Sequence, residues 1–145
     1  ALYPRCEILV NGEKERLDFI RKYEPAQTLE IINKIKQYKQ AYLYMPTWRD
    51  DGRDFLQESG FDFNKLNNVL QRNNILLLLK FHPATEISCD MSSFSNVILL
   101  NKMLDVYPIM SFTIGLITDY SSVYYDYILM QNKMFIFYSC IMISM

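Results

Sequence analysis

Three short polar runs hold the residues of this chain best suited to chemistry: Thr47-Trp48-Arg49, His82-Pro83 and Asp119-Tyr120-Ser121-Ser122. Each follows a short apolar run. In the third, Asp119, Ser121 and Ser122 bring side-chain oxygens to the point where a helix would begin. Such oxygens cap the first free N–H groups of a helix. The same N–H groups, at the positive end of the helix dipole, also favour a phosphate. The turn by itself serves either reading. His82 is the only histidine. At a strand end, beside a proline that fixes the turn, it reads either as a structural hydrogen-bonder or as an acid–base group. The loop from Pro46 to Arg53 carries the only tryptophan. It is either an ordinary turn with Trp48 packed on the sheet edge, or a ligand loop at the carboxyl end of a strand. Neither GxGxxG nor GxxxxGK[ST] occurs, so a dinucleotide fingerprint and a P-loop are both absent. No carboxylate pair with ligand spacing stands at the Ser-Ser turn, and no metal is expected.

The elements that must position these residues can be read from apolar patterning. Gly12 marks a turn, and Leu17, Phe19 and Ile20 a short helix after it. Thr28 reads as the N-cap of a helix reaching about Tyr38, with Leu29, Ile31, Ile32 and Ile35 as its apolar stripe. Ala41–Met45 reads as a strand stopped by Pro46. Phe63, Leu66, Val69 and Leu70 mark another helix, with Asp62 or Asn64 near its start. Ile75–Phe81 is an uninterrupted apolar strand whose two faces should both be covered, which means a parallel sheet. Further strands are expected at Val97–Leu100, Ile114–Thr118 and Met134–Phe137. A short helical or turn segment is expected at 105–109, and a helix from about Ser122 to Met130. Strand and helix alternate. The predicted fold is α/β, a Rossmann-like doubly wound parallel sheet, with the three polar turns on one rim.

Bulk properties bound the function. The 145 residues suit one domain, half of them apolar and 21% charged, which allows a packed core and argues against disorder. A net charge of −1, with no dense basic run, argues against non-specific attraction to nucleic acid or anionic lipid. Cys6, Cys89 and Cys140 lie far apart and show no CxxC spacing, so they suggest neither a zinc site nor a disulfide framework but a reducing compartment. The chain opens on Ala1-Leu2-Tyr3-Pro4 without a leader, and its last stretch, Met134–Met145, is apolar but too short and too broken to span a bilayer as a helix. Both ends read as cut, so a fragment of a longer protein is expected.

Taken in order, the turns resemble the CDP-glycerol glycerophosphotransferase family of teichoic acid polymerases and primases. The motifs are Pro46-Thr47-Trp48-Arg49, Lys80-Phe81-His82-Pro83 and Leu116-Ile117-Thr118-Asp119-Tyr120-Ser121-Ser122. Tyr124-Tyr125-Asp126-Tyr127 matches the aromatic-Asp segment after the Ser pair, and Tyr3-Pro4-Arg5 looks like the entry to the nucleotide-binding half. The resemblance covers nearly the whole chain up to Tyr138. It departs at Ile114, where an Asp usually stands, at Cys6-Glu7, which replaces a polar pair, and after Tyr138.

The resemblance implies the second domain of a two-domain GT-B fold. Residues 1–138 would be an incomplete CDP-alditol donor-binding domain and 139–145 an atypical apolar tail. It implies transfer of glycerol phosphate from CDP-glycerol to a hydroxyl of a lipid-linked polymer or primer, with release of CMP. CDP-glycerol or CDP-ribitol would be a substrate; no cofactor is implied. His82 and Arg49 would be catalytic, the first beside the diphosphate and the second as a fixed positive charge. Thr47, Ser121, Ser122, Asp119 and Asp126 would serve the donor and its phosphates, Asp126 toward a ribose hydroxyl. The setting would be cytoplasmic, peripheral at the inner face of the membrane, with membrane contact made through missing regions or the acceptor. Two other readings stay open: an inactive truncated remnant, and a nucleotide-sugar glycosyltransferase domain on the same fold.

Overall fold

Acidic residues open the first helix and basic residues close it, as the helix dipole favours. In the computed structural model, which describes residues 12–46, 62–119, 123–130 and 134–137, this helix is α1, Glu13–Tyr23. Glu13 and Glu15 lie in its first turn, Arg21 and Lys22 in its last, and Ile20 points into the core. Helix α2 follows at once, Ala26–Ile35, and an ion pair of 2.9 Å from Glu13 to Lys36 ties the two together. Thr28 does not cap α2. Pro25, extended at φ −60° and ψ 150°, takes the N-cap position, and the Thr28 N–H already donates to the Pro25 carbonyl at 3.0 Å. The proline starts the helix three residues earlier than the capping signal suggested, and Thr28 becomes a buried first-turn residue.

Strand β1 is Gln40–Tyr44. Helix α3, Phe63–Asn73, starts where Asp62 accepts a hydrogen bond from the Lys65 N–H at 3.1 Å. It stops at Asn74, whose φ of 54° turns the chain left-handed and directly into β2, Ile75–Leu79. Strand β3, Val97–Leu99, follows a stretch without helix, residues 80–96. That stretch has no apolar 3.6-residue period and is closed by local turns, such as the Ser92 N–H on Asp90 Oδ1 at 2.9 Å. Strict strand–helix alternation therefore fails here. The one-turn α4, Tyr107–Met110, leads to β4, Gly115–Thr118. Helix α5 spans only Val123–Tyr127, shorter than expected, with hydrogen-bonded turns carrying the chain on to Met130. Strand β5 is Met134–Phe137.

All pairings are parallel, in the order β3-β2-β1-β4-β5. Side chains alternate across a strand, so each strand serves two cores. Ala41, Leu43, Leu76, Leu78 and Leu116 face a core built with α1, α2, α4 and α5. Leu77 and Leu79, with the partly buried Tyr42, Tyr44 and Ile117, face Phe63 and Leu70 of α3. This is the expected doubly wound sheet. Its strand order reverses between β1 and β4, and in open α/β sheets ligands bind beyond the carboxyl ends of strands at such a switch point.

Candidate functional site

The rim at this switch point is built from backbone exits that hold one another. Tyr44 pairs with Ile117, the Met45 N–H donates to the Ile117 carbonyl at 3.0 Å, and Thr118 Oγ1 donates to the Met45 carbonyl at 2.7 Å. On the other side of β1, the Lys80 N–H donates to the Tyr44 carbonyl at 2.9 Å. Three strands thus leave the sheet side by side. Asp119, half-buried, follows β4, and His82, exposed, follows β2. Thr47, Arg49, Ser121 and Ser122 lie outside the described residues.

The His82 ring has a defined polarity. Its Nδ1 accepts the Ala84 N–H at 3.1 Å, and its carbonyl accepts the Thr85 N–H at 2.9 Å. An Nδ1 that accepts carries no proton, so the neutral ring carries it on Nε2. In that state Nε2 is a hydrogen-bond donor and not a base.

Asp126 lies on α5, and its Oδ2 accepts a hydrogen bond from the Tyr107 hydroxyl on α4. The next residue, Tyr127, is fully buried, and its hydroxyl meets Thr113 Oγ1 at 3.0 Å and the Thr113 carbonyl at 3.2 Å. Burial pushes the Tyr127 phenol up to about 12, with Tyr42 adding and the Thr113 hydrogen bond partly opposing. Two tyrosine contacts thus fix the short helix α5, which follows Asp119 and the Ser pair in sequence. Sequence reasoning missed Tyr107 and Thr113, because their partners lie 19 and 14 residues away.

It also missed Lys80. This lysine is the one charge within the apolar run 75–81, which was a visible signal. It is 9% exposed, and its Nζ donates to the carbonyls of Asn101, at 3.2 Å, and of Lys102. Burial lowers its pKa from the ordinary lysine value, while the charge of Asp105 opposes that shift. On the opposite edge of the sheet a hollow of about 480 Å³ is lined by Arg16, Lys36, Lys39 and Phe112. Lys36 there is paired with Glu13, and Arg16 and Lys36 lie over the Phe112 ring, so the hollow has no evident relation to the rim. Among the described residues no cluster of three His, Cys, Asp or Glu is placed to hold a metal ion, and no helix is long and apolar enough to cross a membrane.

Residues 3–140 match the family described as CDP-glycerol:poly(glycerophosphate) glycerophosphotransferase. The chain belongs to this family. It is 31% identical over 143 residues to the teichoic acid poly(glycerol phosphate) polymerase of Staphylococcus epidermidis, covering 93% of this chain and 18% of that protein. It is 30% identical over 104 residues to the teichoic acid ribitol-phosphate primase of Bacillus spizizenii, covering 70% and 26%. Among solved structures, the wall teichoic acid polymerase TagF superposes with a TM-score of 0.60 at 31% identity, over 86% of this chain and 30% of that chain. A variant of that polymerase soaked with CDPG gives 0.61 at 30% identity, over 94% and 30%. This glycerophosphotransferase-family chain therefore spans only about a fifth to a quarter of the length of these curated relatives.

Proposed function

We propose that this chain is the donor-binding part of a CDP-alditol phosphotransferase of teichoic acid or capsule synthesis. Such an enzyme moves glycerol phosphate, or ribitol phosphate, from its CDP ester to a hydroxyl of a lipid-linked polymer or primer. The acceptor oxygen forms a bond to the phosphorus that carries the alditol. The bond from that phosphorus to the bridging diphosphate oxygen breaks, and CMP leaves with the electron pair. The acceptor proton passes to a base. Protein groups contribute mainly by placing the phosphates and meeting the charge that grows on the leaving group.

The observation that carries this reading is that β1, β2 and β4, the strands that precede Pro46, His82-Pro83 and Asp119 in sequence, end side by side at the switch point of the sheet. The Nδ1 contact to Ala84 supports His82 as a donor from Nε2 to a diphosphate oxygen, with the acceptor's base supplied elsewhere. Arg49 is assigned the fixed positive charge, since a guanidinium grips phosphate through two N–H groups. Thr47, Ser121 and Ser122 are assigned hydroxyl contacts to the phosphates. Asp119 is assigned to order the turn. Asp126, already held by Tyr107, is assigned to reach a ribose hydroxyl with its other oxygen. The CDP-alditol is the substrate and no cofactor is assigned. The donor domain is assigned residues 1–138. The setting is the inner face of the membrane, where a lipid-linked acceptor would be reached.

The test is calorimetric titration of CDP-glycerol into the His82→Ala and Arg49→Ala variants. Each change is expected to weaken binding about tenfold or more, the loss of a charge-assisted hydrogen bond. Affinity equal to that of the unaltered chain in both variants would sink the assignment of these residues.

A further inference from the structure

Two lysines cross between the loops that follow β2 and β3. Lys80, at the end of β2, sends its ammonium to the carbonyls of Asn101 and Lys102 beyond β3. Lys102, half-buried, sends its own ammonium back to the carbonyl of Thr85 beyond β2. The Thr85 N–H in turn donates to the His82 carbonyl, and the Ala84 N–H to His82 Nδ1. The four-residue turn that carries His82 is therefore closed from within by two N–H donors and held from outside by one lysine. A second lysine seats the backbone of the first.

An ammonium in an apolar setting is costly unless its protons are all engaged. A methionine at position 80 would fill similar space in an otherwise apolar run without that cost. What the two ammonium groups provide is geometry. Each bonds main-chain carbonyls, so each fixes where a loop backbone runs, and together they lock the two loops to each other.

We propose that Lys102, seated by Lys80, is a positioning residue that holds the His82 turn, keeps Nδ1 on the Ala84 N–H and so presents Nε2–H to the donor diphosphate. The last clause rests on the donor-side reading of His82 given above; the brace itself does not. Neither lysine is assigned a contact with the ligand.

The Lys102→Met variant of the whole chain tests this. The chain has a single histidine, so its ring signals are unambiguous in a nitrogen-15 spectrum. Ala84 is exposed, so slow exchange of its amide proton reports the Nδ1 hydrogen bond. Lys102→Met is expected to speed Ala84 exchange and to shift the His82 Nδ1 resonance. It is also expected to raise the Kd for CDP-glycerol about tenfold, with the thermal unfolding midpoint little changed. Lys102→Arg is expected to restore both readings. If Lys102→Met fails to fold, Lys80→Met, which conserves volume, is read in its place and carries the same two expectations. Unchanged Ala84 exchange and unchanged affinity in a folded variant overturn the proposal. Should the unaltered chain not bind CDP-glycerol, the donor reading fails by itself, and the brace is then decided by Ala84 exchange and the His82 resonance alone.

Discussion

Tyr127 is held neutral by burial, and that has a measurable consequence in alkali. Its phenol ionises near 12 in the folded chain, against an ordinary value of 10.0. Between those values the folded state holds the proton that the unfolded state has lost, so stability falls as pH rises from about 10 to about 12. Tyr127→Phe removes the ionising hydroxyl and with it this dependence. Denaturant unfolding in that interval should show a steeper loss of stability in the unaltered chain than in the variant; parallel curves would contradict the burial of this hydroxyl. Thr28 is the opposite case. Its hydroxyl is buried with no hydrogen-bond partner among the described residues, which stabilises nothing. Thr28→Val keeps the shape and removes the unpaired group, and is expected to raise stability by about 1 kcal/mol, read from the denaturant midpoint. At this scale the sequence was a partial guide. His82 could be singled out because it stands alone at a strand end. The Lys80–Lys102 brace could not, because it depends on which loops the fold brings together.

The elements were more legible than their ends. The apolar runs at 75–79 and 115–118 became β2 and β4, since a strand covered on both faces needs no polar alternation. The sequence placed Asp62 or Asn64 near the start of α3, and it is Asp62 that accepts the Lys65 N–H as a cap should. Pro25 outranked Thr28 at the start of α2, because a fixed φ sets a helix start more firmly than a hydroxyl does. Nor did patterning show that 80–96 has no helix or that α5 is so short. The junction of α3 with β2 gives an element-scale prediction. Asn74 is the only non-glycine residue at positive φ among those described, and its N–H closes the helix on the carbonyls of Gln71 and Leu70. Asn74→Gly should be tolerated. Asn74→Val forces a β-branched side chain into a left-handed conformation and should cost about 1–2 kcal/mol. Thermal unfolding of the two variants distinguishes them, and equal midpoints would argue against this cap geometry.

At the scale of the whole molecule, the sheet order and the resemblance point to the same edge. Local patterning predicts a doubly wound sheet but not its strand order, because order depends on pairings between residues far apart in sequence. The order β3-β2-β1-β4-β5 places β1 and β4 side by side, with β2 on the far side of β1, so the strands that precede the three separate motifs end along one rim. The most direct test of the account is calorimetric titration of the unaltered chain with CDP-glycerol and CDP, with UDP as the control. The account predicts saturable binding of both cytidine ligands, weak or absent binding of UDP, and loss of the cytidine binding when Ser121 and Ser122 are both changed to Ala. Preference for UDP, or no binding of any of the three by a folded sample, would contradict the claim that this chain holds the donor site.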